Sequence, residues 1–290
     1  MVAIGVFDGI HIGHQKLINE TVVLARARGA RSIVLTFEPM PREHLSPHDP
    51  PARLTRFRER FEVIERLGVD EMCCLRFDSV QGLSKDEFID SLLVNALAAS
   101  AVVVGSDFRF GRKREGTVED LTDASRLRDF DVRVIPPVIW RGKRVSSTAV
   151  RQALKRGDFN SVRSMLGRDY SISGRVIPGL GIGKDLGFPT ANIALKRRIP
   201  PLDGIFAVRV GGIGDGLLDG VASVGTRPTV GGGVPLLEVH LFDFDEDIYA
   251  KHVTVHFIRR LRDEQRFENL DAMKHQMERD AVAARAALTA

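Results

Sequence analysis

Apolar and polar positions follow two different patterns along the chain, and the change falls near residue 167. Before it, apolar runs such as VAIGVF (2–7), SIVLTF (32–37) and AVVVG (101–105) alternate with segments in which apolar residues recur every three or four positions. Runs of this kind are typical of buried strands, and the wider spacing is typical of amphipathic helices. Their alternation predicts a parallel sheet covered by helices on both faces.

Three helices of this first half have clear markers. One is predicted over 14–28 and a second over 54–67, where Gly68 ends the run. The apolar positions of the second are Leu54, Phe57, Phe61, Ile64 and Leu67. A third helix should begin at the capping box of Ser84 and Glu87.

After residue 167 short strand-like runs follow one another, separated by turns rich in glycine and proline. They cover 170–177, 204–210, 218–224, 236–243 and 252–258. This spacing predicts an antiparallel barrel. A terminal helix from Asn269 carries one apolar stripe, which we expect to dock on the barrel; its members are Leu270, Met273, Met277, Ala281 and Ala284. We therefore expect two domains, 1–167 and 168–290.

Composition narrows the classes of partner. Lys and Arg number 42 against 38 Asp and Glu, a net charge of +4, and the arginines are scattered. A nucleic-acid-binding protein usually carries a basic stripe, so phosphorylated small molecules are the better expectation. No apolar run approaches a membrane span, and no signal peptide precedes the first strand. Cys73 and Cys74 are adjacent in one strand and point to opposite faces, which favours reduced thiols and a cytoplasmic protein.

The stretch GVFDGIHIGH (5–14) is the first candidate for chemistry. It joins the first strand to the first helix, where an α/β sheet binds phosphate. Its glycines, Gly5, Gly9 and Gly13, would let the backbone approach a ligand. His11 and His14 could donate hydrogen bonds to phosphoryl oxygens as charge develops. Two ordinary histidines in a turn remain the alternative, and a zinc site is disfavoured because no further ligand set accompanies them.

Two later segments should join this site. VVVGSDFRFG (102–111) offers Asp107 and Arg109 at the end of a strand. RVSSTAVRQAL (144–154) opens a helix with three hydroxyls and an arginine one turn on, which suits a triphosphate; these residues are Ser146, Ser147, Thr148 and Arg151. Alone, the hydroxyls would be only a helix cap.

In the predicted barrel, PGLGIGKDLGFPTANI (178–193) combines a glycine-rich loop with a polar strand. Gly179, Gly181, Gly183 and Lys184 could surround a polyphosphate, although the spacing is not that of a P-loop. The alternative is a glycine-rich hairpin turn without a ligand. Thr190 and Asn192 alternate with Ala191, so their oxygens should share a face and could contact magnesium or phosphate.

Glu238 is a carboxylate within the otherwise apolar strand LLEVHLF (236–242), and His240 shares its face. A glutamate in a strand usually faces solvent. By itself the pattern therefore leaves a solvent-facing side chain and a functional group both open.

Together these motifs resemble the prokaryotic bifunctional riboflavin kinase/FMN adenylyltransferase family, also called FAD synthetase. The resemblance rests on residues 5–14, 36–41 (TFEPMP), 104–111 and 146–151 in the first half. In the second half it rests on 186–193 (LGFPTANI), 225–230 (GTRPTV) and 237–244 (LEVHLFDF). All seven motifs occur in the family's order and span essentially the whole chain.

The resemblance implies a Rossmann-like nucleotidyltransferase domain over 1–167 and a riboflavin kinase barrel over 168–290. The barrel would phosphorylate riboflavin to FMN with Glu238 as the base, and the first domain would join FMN to AMP from ATP, giving FAD and pyrophosphate. It implies ATP at both sites and Mg²⁺ with Thr190 and Asn192. The partners would be small molecules only, in a monomer or weak homo-oligomer.

By the same resemblance, His11 and His14 contact ATP phosphates, and Ser146, Ser147 and Arg151 hold the triphosphate. Asp107 and Arg109 lie at the nucleotide and flavin side. The matching motifs add Phe7, Thr148 and Arg227 to the ligand-binding residues. Met40 departs from the family pattern, which has histidine there, and could alter FMN or ATP contacts.

Two alternatives come from other classes. His-x-Gly-His is also a motif of class I aminoacyl-tRNA synthetases, but these need a later Lys-Met-Ser-Lys-Ser loop, and the chain has none. A non-catalytic flavin-binding module would require one degenerate site, and no phosphate-handling residue is missing.

Overall fold

The computed structural model describes residues 1–179, 183, 186–226 and 235–289. Its packing divides the chain into two compact units. The first comprises Met1–Pro51 and Phe57–Ser147, and the second comprises Ala52–Arg56 and Thr148–Ala290. Each unit is thus built mainly from one half of the chain, and a five-residue segment of the first half belongs to the second unit.

Five parallel strands form the sheet of the first unit. They are β1 (Val2–Ile4), β2 (Ile33–Glu38), β3 (Glu71–Arg76), β4 (Ala101–Gly105) and β5 (Asp131–Ile135). Their order is β3-β2-β1-β4-β5, so the first strand lies at the centre. Side chains alternate between two apolar clusters, with Val2 and Ile4 in one and Ala3 in the other. The predicted parallel sheet, covered on both faces, is confirmed.

The helices of this unit follow the strands. They are α1 (Ile12–Ala27), α2 (Pro41–Leu45), α3 (Phe57–Arg66), α4 (Phe77–Val80), α5 (Lys85–Glu87), which continues as a π-helix over Phe88–Ala96, and α6 (Val118–Leu127). The capping box predicted for the third helix is present, since Ser84 and Glu87 each accept a hydrogen bond from the other's backbone N–H. A short hairpin of β6 (Ile139–Trp140) and β7 (Lys143–Arg144) completes the unit.

The prediction for α3 was wrong in two respects. The helix begins at Phe57, so Leu54 lies outside it. Phe57 and Phe61 are exposed, whereas Glu59 and Arg60 are buried together with Val63 and Ile64. The buried face therefore includes two charged residues, which a search for apolar periodicity assigns to solvent.

The second unit is a closed barrel of six antiparallel strands. They are β8 (Tyr170–Ile177), β9 (Ala191–Ala194), β10 (Gly204–Gly211), β11 (Leu218–Thr226), β12 (Pro235–Leu241) and β13 (His252–Arg262), in the order β10-β11-β12-β9-β8-β13. Helices with described bounds in this unit are α7 (Ser147–Lys155), of which all but the first residue belongs here, α8 (Phe159–Leu166) and α9 (Leu270–Thr289). The predicted barrel and terminal helix are confirmed. Within the described part of the chain, no helix is both long and apolar enough to cross a membrane.

Hydrogen bonds in both directions hold segment 52–56 in the second unit: its backbone carbonyls accept from other residues of that unit, and its side chains donate to them. Leu54 is fully buried, and its carbonyl accepts from Tyr170 Oη at 2.9 Å and from the Arg197 guanidinium at 3.3 Å. Arg56 in turn donates to the Leu195 carbonyl at 3.2 Å. This explains why Leu54 does not take part in α3.

Candidate active sites

The turn between β1 and α1 places two histidines against each other. His11 caps α1, and its Nδ1 accepts a hydrogen bond from the His14 backbone N–H at 3.2 Å. The two rings stack with centroids 3.7 Å apart, and the Phe7 ring meets His14 edge-on at 5.3 Å. Because Nδ1 of His11 is an acceptor, the proton of the neutral ring lies on Nε2, which is therefore a donor.

His14 is held in its neutral form. Burial lowers its pKa well below the ordinary 6.5, and the nearby His11 and Arg144 lower it further. Its Nδ1 is buried without a hydrogen-bond partner among the described residues. A buried ring nitrogen of this kind is uncommon in a purely structural setting and is typical of a site that receives a ligand.

The glycines of this turn make room for its own side chains. A Cβ on Gly5 would lie 2.9 Å from the Phe7 ring, and one on Gly13 would lie 3.1 Å from His11 Nδ1. Gly9 has φ +80°, which favours glycine. At Gly5 and Gly13 the close approach is that of Phe7 and His11, and both glycines also line the cavity described below, so their contact with a ligand stays a prediction.

One cavity of about 430 Å³ lies over the carboxyl end of this sheet. It brings together seven of the predicted site residues: Gly5, Phe7, His11, Gly13, His14, Asp107 and Arg109. Arg144 also lines it and forms an ion pair with Asp107 at 2.8 Å. The hydrogen bond from Arg144 holds the pKa of Asp107 below its usual value. The volume is within the range of small-molecule sites.

A buried arginine supports the turn and was missed in the sequence. Arg60 donates to the Val6 carbonyl at 2.9 Å and pairs with Glu38 at 2.6 Å, and its side chain is fully buried. It thereby ties α3 and β2 to the turn that carries His11. In the sequence, Arg60 is only a charged residue within a predicted amphipathic helix. Such residues are too common for this pattern to predict that Arg60 supports the turn.

The serine-rich segment is divided between the two units. Ser147 belongs to the first, where its Oγ donates to the Asp8 carbonyl at 2.8 Å. Thr148 and Arg151 belong to the second, where Arg151 Nε donates to the Ala52 carbonyl at 2.6 Å. The assembly of Ser146, Ser147, Thr148 and Arg151 around one triphosphate stays a prediction.

In the barrel, residues paired across the strands form a row on the face opposite the barrel core. Asn192 of β9 pairs with Glu238 of β12, which pairs with Ser223 of β11. The row continues through Ile205 of β10 to Arg262 of β13. Except for Asn192, these residues line a cavity of about 180 Å³, which Thr190 and His240 also line. Glu238 thus faces a cavity, which the strand pattern left open.

Helix α9 closes this cavity from the other side. Met273 and Met277 line it, while Ala284 is fully buried against the barrel and Leu270 is exposed. The stripe predicted to dock on the barrel therefore has two parts. Only its C-terminal part docks, and the methionines before it form a wall of the cavity.

The glycine-rich loop reaches the polar strand at its two described glycines. A Cβ on Gly179 would overlap the Asn192 amide, and one on Gly183 would overlap the Phe188 carbonyl and lie 3.3 Å from Thr190 Oγ1. Gly183 therefore requires glycine, and a side chain at Gly179 would displace the Asn192 amide. The predicted Gly181, Lys184 and Arg227 lie outside the described residues.

Comparison with known proteins supports the family resemblance of both halves of the chain. Residues 1–149 match the family model of FAD synthetase, and residues 166–288 match that of riboflavin kinase. The chain is 43% identical over 286 residues to the bifunctional riboflavin kinase/FMN adenylyltransferase of Escherichia coli K12, covering 98% of this chain and 91% of that protein. The protein of the same name from Pseudomonas fluorescens is also 43% identical, over 99% and 92%. The chain belongs to the bifunctional riboflavin kinase/FMN adenylyltransferase family.

A solved structure supports the fold. A Streptococcus pneumoniae protein described as a macrolide-efflux protein is 33% identical, with a TM-score of 0.84 and coverage of 98% of this chain and 93% of that one. The family resemblance drawn from the seven motifs is thus confirmed. The departure at Met40 lies in a buried side chain, and the next residues, Pro41 and Arg42, line the first cavity.

The family's use of ATP raises the question of where magnesium fits. In the described part of the chain no three acidic, histidine or cysteine side chains form a metal cluster. Thr190 and Asn192 instead offer a hydroxyl and an amide oxygen beside Glu238. Neutral oxygens complemented by phosphate suit Mg²⁺, which usually binds few protein ligands together with a nucleotide. These two residues therefore fit the ion.

Proposed function

We propose that this chain makes FAD from riboflavin in two ATP-dependent steps, one in each unit. Both family domains occur in one chain. The observation that carries the proposal is that each unit has its own cavity, one lined by His11 and His14 and the other by Glu238. The functional domains are 1–167 and 168–290, a division supported by family matches that end at residue 149 and begin at residue 166.

In the first step, riboflavin is phosphorylated in the barrel cavity. Glu238 takes the proton of the 5′-hydroxyl as that oxygen attacks the γ-phosphorus of ATP, and ADP leaves with the bridging oxygen. Thr190 and Asn192 hold Mg²⁺, which neutralises phosphate charge when bound. The glycines of the loop, with Lys184 and Arg227, bind the nucleotide. The packing of Gly179 against Asn192 supports this placement.

In the second step, a phosphate oxygen of FMN attacks the α-phosphorus of a second ATP, and pyrophosphate leaves. No covalent enzyme intermediate is needed, so the protein contributes position and charge stabilisation. His11 donates from Nε2, and the neutral His14 can donate without adding a full charge. Asp107 and Arg109 bind the nucleotide and flavin. The roles of Ser146, Ser147, Thr148 and Arg151 at the triphosphate rest on the family motif.

We further propose a cytoplasmic enzyme with no nucleic-acid or membrane partner, acting as a monomer or weak homo-oligomer. The modest net charge of +4 and the two free cysteines support the first part. A measurement of molecular mass in solution tests the second.

The decisive experiment incubates the purified chain with riboflavin, ATP and Mg²⁺ and separates the flavins by chromatography over time. FMN should appear first and FAD should follow as FMN is consumed. Neither product would contradict the whole proposal. FMN alone would confine activity to the barrel, and FAD formation from supplied FMN alone would confine it to the first unit.

A further inference from the structure

The ion pair between Arg262 and Asp280 joins β13 to α9 at the wall of the barrel cavity. Arg262 Nε lies 2.9 Å from one Asp280 oxygen, and a terminal guanidinium nitrogen lies 2.6 Å from the other. Gln276 donates to the same carboxylate at 2.8 Å. The Asp280 side chain is 8% exposed and that of Arg262 is 21% exposed. This is a bidentate, largely buried ion pair whose carboxylate accepts from three donor nitrogens.

Helix α9 needs this contact because of how its buried residues are distributed. The only buried side chains of its described residues are Asp280, Ala284 and Leu288, all in the C-terminal half. The N-terminal half extends beyond the docked part, and it carries Met273 and Met277 into the cavity. Spacings of four, three and four residues place Met273, Met277, Asp280 and Ala284 on one face of the helix. Asp280 is therefore the buried residue of α9 that lies nearest to the two methionines.

A buried ion pair is a poor source of net stability, because removing two charges from water offsets their attraction. Its better-supported contribution is to fix one arrangement of the elements it joins. Here that arrangement is the position of α9 over the face of the barrel that bears Glu238. Arg262 belongs to the same cross-strand row as Glu238 and Ser223. The ion pair therefore fixes the position of α9 relative to the strands that carry Glu238.

We propose that Arg262 and Asp280 are positioning residues for riboflavin, which set the methionine wall against the planar flavin ring. The inference rests on the proposed kinase function of the barrel. Methionine side chains suit this contact because they are polarisable and pack well against aromatic rings. Neither residue needs to touch the phosphoryl group, so the pair should govern riboflavin affinity and leave the rate of transfer nearly unchanged.

The same helix provides a matched control. Arg285 of α9 forms a two-pronged pair with Asp243, at 2.8 and 3.0 Å, but these side chains are 51% and 79% exposed and lie outside the cavity lining. Asp280→Asn and Asp243→Asn therefore make the same chemical change at a buried and at an exposed pair. Exposed pairs contribute little.

The test uses the full chain and measures riboflavin binding without ATP, by quenching of flavin fluorescence, and then steady-state phosphorylation. For Asp280→Asn we expect the riboflavin Kd and KM to rise about tenfold, equivalent to about 1.4 kcal/mol. We expect kcat, the KM for ATP and FMN adenylylation to change by less than about twofold. Asp243→Asn should match the unaltered chain.

Three results would overturn the inference: unaltered riboflavin binding by folded Asp280→Asn, an equal effect of Asp243→Asn, or a fall in kcat at unchanged KM. If circular dichroism shows that Asp280→Asn is unfolded, the same binding measurement is made on Arg262→Lys. Lysine keeps the positive charge but cannot form the bidentate contact with Asp280. Unaltered binding by that variant also overturns the inference. If the unaltered chain binds no riboflavin, that result contradicts the proposed kinase function and therefore this inference as well.

Discussion

The rings of His11 and His14 stack 3.7 Å apart because the Nδ1 atom of the first accepts a hydrogen bond from the backbone of the second. The acceptor nitrogen of His11 is thus committed to the helix cap, and its ring is held in one orientation. His14 has a buried nitrogen without a described partner. The pair is a fixed unit at the start of α1, where the backbone potential favours phosphate.

His14→Ala should abolish FAD formation from FMN and leave riboflavin phosphorylation intact. Removing one donor to developing charge costs about 10²–10³ in kcat. Both rates are measured by chromatography of the flavins. His48→Ala, an exposed histidine of the same unit, serves as control and should retain both activities. Equal loss of the two activities in a folded His14→Ala protein would contradict the division of labour.

The lowered pKa of His14 makes the first unit less stable in acid. Below pH 6.5 the unfolded chain takes up a proton on His14 that the folded chain does not, so the free energy of unfolding falls as pH decreases. The single tryptophan, Trp140, lies in this unit and reports its unfolding by fluorescence. Urea unfolding at pH 7.5 and 5.5 should show a smaller pH dependence for His14→Gln than for the unaltered chain. Identical pH dependence would refute the assignment.

Glu238→Gln should eliminate riboflavin phosphorylation and preserve adenylylation of supplied FMN. The amide keeps the shape of the side chain but cannot take the hydroxyl proton, which costs about 10²–10⁴ in rate. The comparison is Glu246→Gln, an exposed carboxylate of the same barrel. Phosphorylation at the unaltered rate would exclude Glu238 as the base.

Arg60→Met should destabilise the first unit by about 3–5 kcal/mol, because it removes a fully buried guanidinium that pairs with the Glu38 carboxylate and donates to the Val6 carbonyl. Trp140 fluorescence during urea unfolding measures the change. Arg58 forms an exposed pair with Glu62, and Arg58→Met should stay within about 0.5 kcal/mol. If the two variants unfolded alike, the support given to the turn by Arg60 would be disproved.

Tyr170→Phe should destabilise the barrel by about 1 kcal/mol, since it removes one donor to the Leu54 carbonyl. The midpoint of kinase inactivation in urea gives the measurement. The other tyrosine, Tyr249, is 59% exposed, and Tyr249→Phe should leave that midpoint unchanged. An unchanged midpoint for Tyr170→Phe would show that the hydrogen bond from Tyr170 to Leu54 adds nothing to the stability of the barrel.

The sequence by itself determined the two fold types and the family, and it indicated the candidate residues of both sites. Strands as apolar as AVVVG can only be buried on both faces, and the short turn-separated runs after residue 167 can bury their faces only by closing on themselves. The histidine turn and the polar strand are local, so their spacing along the chain already carries their chemistry.

Only the tertiary structure decided which distant residues support those sites. Arg60 is buried because one carbonyl and one carboxylate lie within its reach, and Leu54 leaves its apparent helix because Tyr170 and Arg197 bind its carbonyl. Met273 and Met277 line a cavity, whereas Ala284 in the same stripe docks on the barrel. Apolar periodicity indicates that one face of a helix or strand is buried, but it does not show what packs against that face. The packing partner is determined by residues far away in the chain.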